Sequence, residues 1–325
     1  MDVDTKSGIS KEKANLQSGG SHDREFDFTK ADFDRVCQLI YEHAGISLGP
    51  SKQDMVYSRL ARRLRANRLE SFREYLAILE SNNEVEWEAF VNSLTTNLTS
   101  FFREPHHFPI LAEHVAKQKG RHCALWCSAA STGEEAYSMA MTMVDTFGTF
   151  TPPVSIIASD LDTQVLAKAE LGIYPLESIE KLPEDKVKRF FLRGAGEKAG
   201  LVRVRQELRD MVIFRQINLL SDNWPIRPPL DAIFCRNVMI YFDKETQLKI
   251  LERFVPLLQQ DGLVFAGHSE SYYQATHLFK LRGNTVYELE KSSQQAYTGQ
   301  PAFSGRLSNS GHRTHRGHHG HRRTK

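Results

Sequence analysis

The chain is poor in cysteine, has no long apolar run, and carries no acidic residue beyond Glu290. Its four cysteines (Cys37, Cys123, Cys127, Cys235) are too scattered across 325 residues for a disulfide scaffold and fit a reducing compartment. No stretch approaches the ~20 apolar residues of a bilayer span, so no membrane insertion is expected. Met1 to Glu25 is polar and mixed in charge, without the apolar core of a signal peptide, which points to a cytoplasmic chain. There is no internal repeat and no GxGxxG. Cys123 and Cys127 lack the spacing and companions of a zinc site. His106 and His107 are adjacent and would not share a helix face, so they read as structural. No metal is expected.

What is present is asymmetric. Of 42 basic residues, seven lie between Lys291 and Lys325, leaving 35 against 40 acidic residues in 1–290. The body is therefore −5 and the tail +7, and the net +2 describes neither. The Ser/Gly/His/Arg-rich tail, 291–325, is expected to be disordered, as is 1–25. Tail histidines such as His318 and His319 could bind metal only adventitiously.

Between these ends two patterns follow one another. Thr29-Lys-Ala-Asp32 reads as a capping box, with Phe33, Val36, Leu39 and Ile40 at helical spacing and Gly45 as the stop. Helices are expected near Ser51–Leu69, around Phe72–Leu79 and around Trp87–Leu94, making 26–96 an all-helical unit. After a linker and interdomain helix (97–121), strand-like runs at Cys123–Ser128, Val154–Ser159, Val212–Ile217, Leu230–Cys235 and Leu263–Ala266 alternate with helical stretches. These stretches are Glu134–Thr146, Thr163–Leu171 and Lys244–Leu258. That rhythm predicts an α/β fold, a doubly wound parallel sheet over 122–290. Phe279–Arg282 and Thr285–Leu289, split by Gly283-Asn284, predict a closing hairpin. Around 190–216 the glycines Gly194, Gly196 and Gly200 and the run Leu201–Arg205 predict a small inserted β element.

Ligands of such sheets sit at the carboxyl ends of the strands. The first strand leads into Ser128–Gly133, all small residues, which admit a ligand close to the backbone. Glu134 and Glu135 follow. They suit a helix N-terminus, where a simple cap is the bland reading, but they oppose a pyrophosphate and so disfavour a NAD oxidoreductase. The second strand ends in Asp160 and Asp162, one suited to a ribose diol and the other to capping the helix at Thr163. Asn218-Leu219 ends the third strand, where an amide could read an adenine edge. Arg236 and Asn237 end the fourth, polar groups whose burial requires partners. The set fits a nucleoside with a cationic rather than anionic appendage, as in S-adenosylmethionine.

The chain resembles the CheR-type chemotaxis receptor methyltransferases. The stretches that carry the resemblance are Thr96–Glu104, Ser131–Ser138, Ala158–Asp162, Phe234–Asp243 and Phe265–Glu270, within a match running from about Phe28 to Glu290. One departure is Ala136, where the family commonly has proline. The resemblance implies a helical N-terminal domain followed by a Rossmann-like S-adenosylmethionine-dependent methyltransferase domain with a small β-subdomain. The implied reaction methylates glutamate γ-carboxylates on chemoreceptor helices, leaving S-adenosylhomocysteine. It further implies that Asn97, Thr99 and Arg103 reach the cofactor from the linker, that Glu134 faces the methionine amino group and that Asp160 takes the ribose. Asn218 and Leu219 would hold adenine, and Arg236, Asn237 and Tyr241 would line the reaction centre.

These residue types suit the chemistry. A sulfonium is already activated and a glutamate already ionised near neutrality, so alignment at ~3–3.5 Å matters more than a general base. Arg103 is the natural carboxylate clamp and, with Tyr241, the expected catalytic pair. Arg59, Arg62 and Arg63 share one face of the second helix. They read either as a solvated face or as a docking surface for acidic receptor helices, nucleic acid being disfavoured. The inserted β element resembles the version that docks a receptor C-terminal peptide at a sheet edge. A monomer recruited to receptor clusters is expected. Two other classes remain at this point. A nucleic-acid N-methyltransferase calls for an Asn/Asp-Pro-Pro-Tyr motif where this chain has Arg236–Tyr241. A silent binding module is expected to have lost Arg103, Glu134 or Asp160, all of which are present.

Overall fold

The computed structural model describes residues 24–81, 83–118 and 120–291. The expected disorder of 1–25 and of the tail falls almost wholly outside them. Four helices open the described chain: α1 (Lys30–Ala44), α2 (Gln53–Asn67), α3 (Phe72–Glu80) and α4 (Glu84–Leu94). The Thr29 capping box forms in both directions with Asp32, and Gly45 ends α1 in the left-handed conformation. The four helices bury one apolar core that includes Val36, Ile40, Leu60, Leu64, Tyr75 and Phe90.

The linker then leads through α5 (His107–Ala116) into β1 (Cys123–Cys127), α6 (Glu134–Phe147), β2 (Val154–Asp160) and α7 (Thr163–Leu171). Next come β3 (Ile173–Pro175), α8 (Glu184–Phe190), β4 (Phe191–Arg193), β5 (Leu201–Val204), α9 (Gln206–Asp210) and β6 (Val212–Gln216). The chain closes with β7 (Leu230–Cys235), α10 (Lys244–Phe254), β8 (Leu258–Ala266), β9 (Phe279–Gly283) and β10 (Val286–Leu289). The main sheet has seven strands in the order β6-β2-β1-β7-β8-β10-β9, with β6 to β8 parallel and the last two antiparallel. Strand alternation sorts side chains between two cores. Leu125 and Cys127 enter the core beneath α5 and α6, whereas Trp126 between them enters the core beneath α10. Ala232, Ile233 and Phe234 repeat that alternation on β7.

Two expectations shift. The small β-subdomain is the sheet β3-β5-β4, running from Ile173 to Val204 rather than over 190–216, and Val212–Gln216 belongs to the main sheet. Three-residue strands such as β3 and β4 are too short to show a period of two. The hairpin turn is Asn284-Thr285, both at positive φ, one residue later than Gly283-Asn284.

Strand order changes direction at β1: β2 and β6 lie on one side, β7 and β8 on the other. The carboxyl ends of β1 and β7 therefore diverge into a crevice, over which the linker and the helical domain close. A short bridge between Ile46 and Phe242 and the bond from Ser47 N–H to the Tyr241 carbonyl tie that domain down.

Candidate functional site

The crevice is a cleft that holds about 120 Å³ of free space. Its floor is the strand ends, at Ser128, Asp160, Asn218 and Arg236, and its roof is the linker from Thr95 to Thr99 with Ala44, Ile46 and Val91. Gly133 makes the turn below possible. It lies at φ +97°, and a Cβ there would come within 2.8 Å of the Ala169 Cβ. α6 starts immediately after it.

Carboxylates dominate the sheet side. Asp160 accepts from the Ser131 N–H at 2.8 Å and the Asp162 N–H at 3.1 Å. Burial pushes its carboxyl up from the usual range, against the pull of those amides. Asp162 caps α7 through the Gln164 and Val165 amides, and its other oxygen accepts from Asn97 Nδ2 at 3.0 Å. The linker is thereby tied to the end of β2, a tie completed by Ser131 Oγ donating to the Asn97 carbonyl.

The end of β7 rests on a buried ionic chain. Arg236, only 3 % exposed, donates to Glu135 at 2.8 Å and to the Arg103 carbonyl at 2.5 Å, and its guanidinium lies 3.3 Å from Glu104. Burial raises the Glu104 carboxyl, but the hydrogen bonds from His268 and the charge of Arg236 outweigh it and hold it down at about 2. Burial likewise pushes Glu135 up while Arg236 pulls against it. Beyond Arg236 the chain turns with Asn237 at φ 59°. The Glu270 carboxylate holds this turn by accepting from the amides of Asn237, Val238, Met239 and Gly267. Glycine suits position 267, because a Cβ there would come within 2.9 Å of the Asn237 backbone nitrogen.

Three carboxylates (Glu135, Asp160, Asp162) and two arginines (Arg103, Arg236) line the cleft, and with Arg236 paired to Glu135 the two aspartates set the charge at the end of β2. Such a site suits a cationic nucleoside and repels a pyrophosphate.

Comparison with known proteins agrees with that geometry. Residues 97–288 match the family described as CheR methyltransferase, SAM binding domain, and residues 31–95 match its all-alpha domain. The chemotaxis protein methyltransferase of Salmonella typhimurium is 56% identical over 262 residues, covering 80% of this chain and 91% of that protein. Chemotaxis protein methyltransferase 2 of Pseudomonas aeruginosa is 56% identical over 266 residues, covering 81% of this chain and 95% of that protein. The Escherichia coli protein of the first name is equally similar, at 56% over 262 residues. The chain belongs to the CheR methyltransferase family. It is an S-adenosylmethionine-dependent methyltransferase of chemotaxis, and the cofactor supplies a methyl group on a positively charged sulfur.

Within this CheR protein most of the expected site residues converge. Asn97, Thr99, Arg103, Asp160, Asn218, Leu219, Arg236, Asn237 and Tyr241 all line the cleft. Glu134 does not: its carboxylate is buried, raised by desolvation, and accepts from Thr132 Oγ1 at 2.7 Å. Glu135 takes the lining place. Successive helical residues point ~100° apart, so one glutamate of the pair must turn away. Arg236 lines the cleft but is spent on Glu135, Glu104 and the Arg103 carbonyl, which makes it a positioning residue for the linker. The Tyr241 hydroxyl donates to the Thr96 carbonyl at 3.2 Å and accepts from the Thr96 amide at 3.3 Å. Arg103 donates to the Leu98 carbonyl at 2.8 Å and has no other side-chain partner among the described residues.

The second helix is the main correction. Arg59 donates to the carbonyls of Ser93 and Thr95 and to Thr96 Oγ1, capping the end of α4. Arg63 forms a two-bond pair with Glu86, which is buried. Only Arg62 of the three is exposed and without an ion pair among the described residues. Equal spacing on a helix said nothing of what α4 would present opposite.

Reading from sequence missed the roles of Glu104, Glu135 and Glu270. Each lies in or beside a family-like stretch, but only the fold brings them to β7. Glu104, His106 and His107 do place donor atoms within 4.8 Å of one another. The Arg236 guanidinium already stands at that carboxylate, opposing a second cation.

Proposed function

We propose that this CheR protein transfers the cofactor methyl group to glutamate γ-carboxylates on the cytoplasmic helices of chemoreceptors, forming methyl esters. The observation that carries the reading is Arg103. It stands on the linker over the acid-lined cleft with guanidinium donors uncommitted, beside Tyr241. A guanidinium can hold a carboxylate by two parallel bonds, and an ionised carboxylate attacks without a base. Catalysis then consists of alignment. Asn97, Thr99 and Asp160 serve the cofactor, and Asn218 and Leu219 its adenine.

The names of the relatives support chemoreceptors as partners. No helix among the described residues is long and apolar enough to cross a membrane. We place the enzyme in the cytoplasm, as a monomer recruited to receptor clusters. The β-subdomain offers a peptide edge at β4, because Pro175 removes an N–H from the opposite edge strand, β3.

Incubation with radiolabelled S-adenosylmethionine and receptor cytoplasmic fragments tests the reading. Base-labile label on glutamates is expected; label on RNA alone overturns it. Arg103→Ala is expected to lower transfer far more than cofactor affinity by calorimetry, and equal losses would remove Arg103 from the chemistry.

A further inference from the structure

The α2 arginines leave open where an acceptor helix lies, since Arg59 and Arg63 are turned inward. A second cavity, of about 500 Å³, adjoins the cofactor cleft and shares Thr96, Leu98, Arg103, Asn237 and Tyr241 with it. Its outer wall comes from three separate segments: the loop after α1 (Ser47, Leu48), the start of α2 (Lys52, Met55) and the turn after β7 (Ile240). Two features distinguish it from the neighbouring cleft. No acidic side chain lines it, whereas Glu135, Asp160 and Asp162 line the cofactor side. Its rim also exposes large apolar residues, Leu98 at 76 % and Ile240 at 53 %, beside an exposed Lys52 that has no ion pair among the described residues.

We infer that this groove is the acceptor-docking surface, and that it takes one face of an amphipathic acidic helix from the acceptor protein. The inference rests on the reading given under Proposed function. Charge complementarity selects the occupant. The cofactor side carries three carboxylates beside Arg103 and Arg236, whereas the only charged side chains that line the groove are the cations Lys52 and Arg103, on the side that must admit a carboxylate. Residues three or four apart on a helix share a face. A glutamate entering toward Arg103 therefore brings apolar neighbours onto Leu48, Met55 and Ile240, and a second acidic residue about one turn away onto Lys52. A basic surface without apolar residues would suit nucleic acid equally well; the Met55, Leu98 and Ile240 rim favours a protein helix.

Lys52 and Ile240 lie outside the cofactor cleft, so Lys52→Glu and Ile240→Asp separate docking from chemistry. Each is expected to raise KM for a receptor cytoplasmic fragment about tenfold. Affinity for S-adenosylhomocysteine by calorimetry and kcat at saturating fragment should stay unchanged. Unchanged KM in both variants overturns the groove. As a second measurement, a photo-crosslinker at Ile240→Cys should label the fragment within one or two turns of the methylated glutamate, and labelling confined to other segments also overturns it. If the unaltered enzyme puts no label on glutamate, the function itself fails; if it does and these variants behave as wild type, only the groove fails.

Discussion

The two walls of the cofactor cleft are built differently. The sheet wall ends in side chains whose partners are buried: Arg236 on Glu135 and Glu104, and Glu270 on four backbone amides. The linker wall has no regular structure from Thr95 to Ser100 and is held by individual hydrogen bonds, among them Asn97 to Asp162, Ser131 to the Asn97 carbonyl, Tyr241 to Thr96 and Arg59 to Thr95. Orphaning a buried ion pair costs several kcal/mol, whereas part-exposed single hydrogen bonds, even to one charged partner, contribute about 1–3 kcal/mol each. The sheet wall is thus a fixed template, and the linker wall is the part whose position a ligand can bias.

The sharpest way to break this contrast is Arg236→Ala. It strands Glu135 and Glu104 and should cost roughly 3–5 kcal/mol in urea unfolding. A midpoint equal to that of the unaltered protein would mean that the buried chain is not what holds the sheet wall.

Acid should act on the same wall. The unfolded chain binds protons that the folded one refuses, at His107 between the ordinary 6.5 and about 4 and at Glu104 between the ordinary 4.5 and about 2. Both shifts are depressions, so their contribution is present above the ordinary values and is lost as pH falls through these windows. The carboxyls that burial raises, Glu134, Glu135, Asp160 and Glu270, act in the opposite sense, so the readout is a difference: Glu104→Gln should lose less stability than the unaltered protein between pH 4.5 and pH 3 in denaturation midpoints.

Asp160→Ala removes a buried acceptor of the Ser131 and Asp162 amides. Weakening of cofactor affinity by about ten- to a hundredfold is expected in calorimetry, equivalent to ~1–3 kcal/mol.

The smallest stability effect belongs to the linker wall. Tyr241→Phe should cost about 0.5–1.5 kcal/mol in unfolding while lowering methyl transfer by a larger factor. A transfer rate that falls no further than the stability change accounts for would leave Tyr241 as a linker tether.

Much of this was legible in the chain. The capping box at Thr29, the apolar run of β1 and the Asp162 cap of α7 are local, and local patterns survive into the fold. So does the polar character of the strand ends, because the carboxyl ends of parallel strands all lie along one edge of a doubly wound sheet. Residues whose role depends on a partner far along the chain were not legible. Glu270 meets Asn237 across 33 positions, Arg236 meets Glu104 across 132, and Arg63 meets Glu86 across 23. The helical period places Arg59, Arg62 and Arg63 together but is silent on which of them α4 will claim.

By itself, then, the sequence determined a helical unit, an alternating β/α unit and an acidic, small-residue lining suited to a cationic nucleoside, since composition and period act within a few residues. Only the tertiary structure decided that Glu135 rather than Glu134 lines the cleft, that Arg59 and Arg63 among the four arginines of α2 find partners on and after α4, and that a largely apolar groove carrying Lys52 opens beside Arg103. Those outcomes depend on which surfaces come to face each other, and burial then sets which charges must be paired.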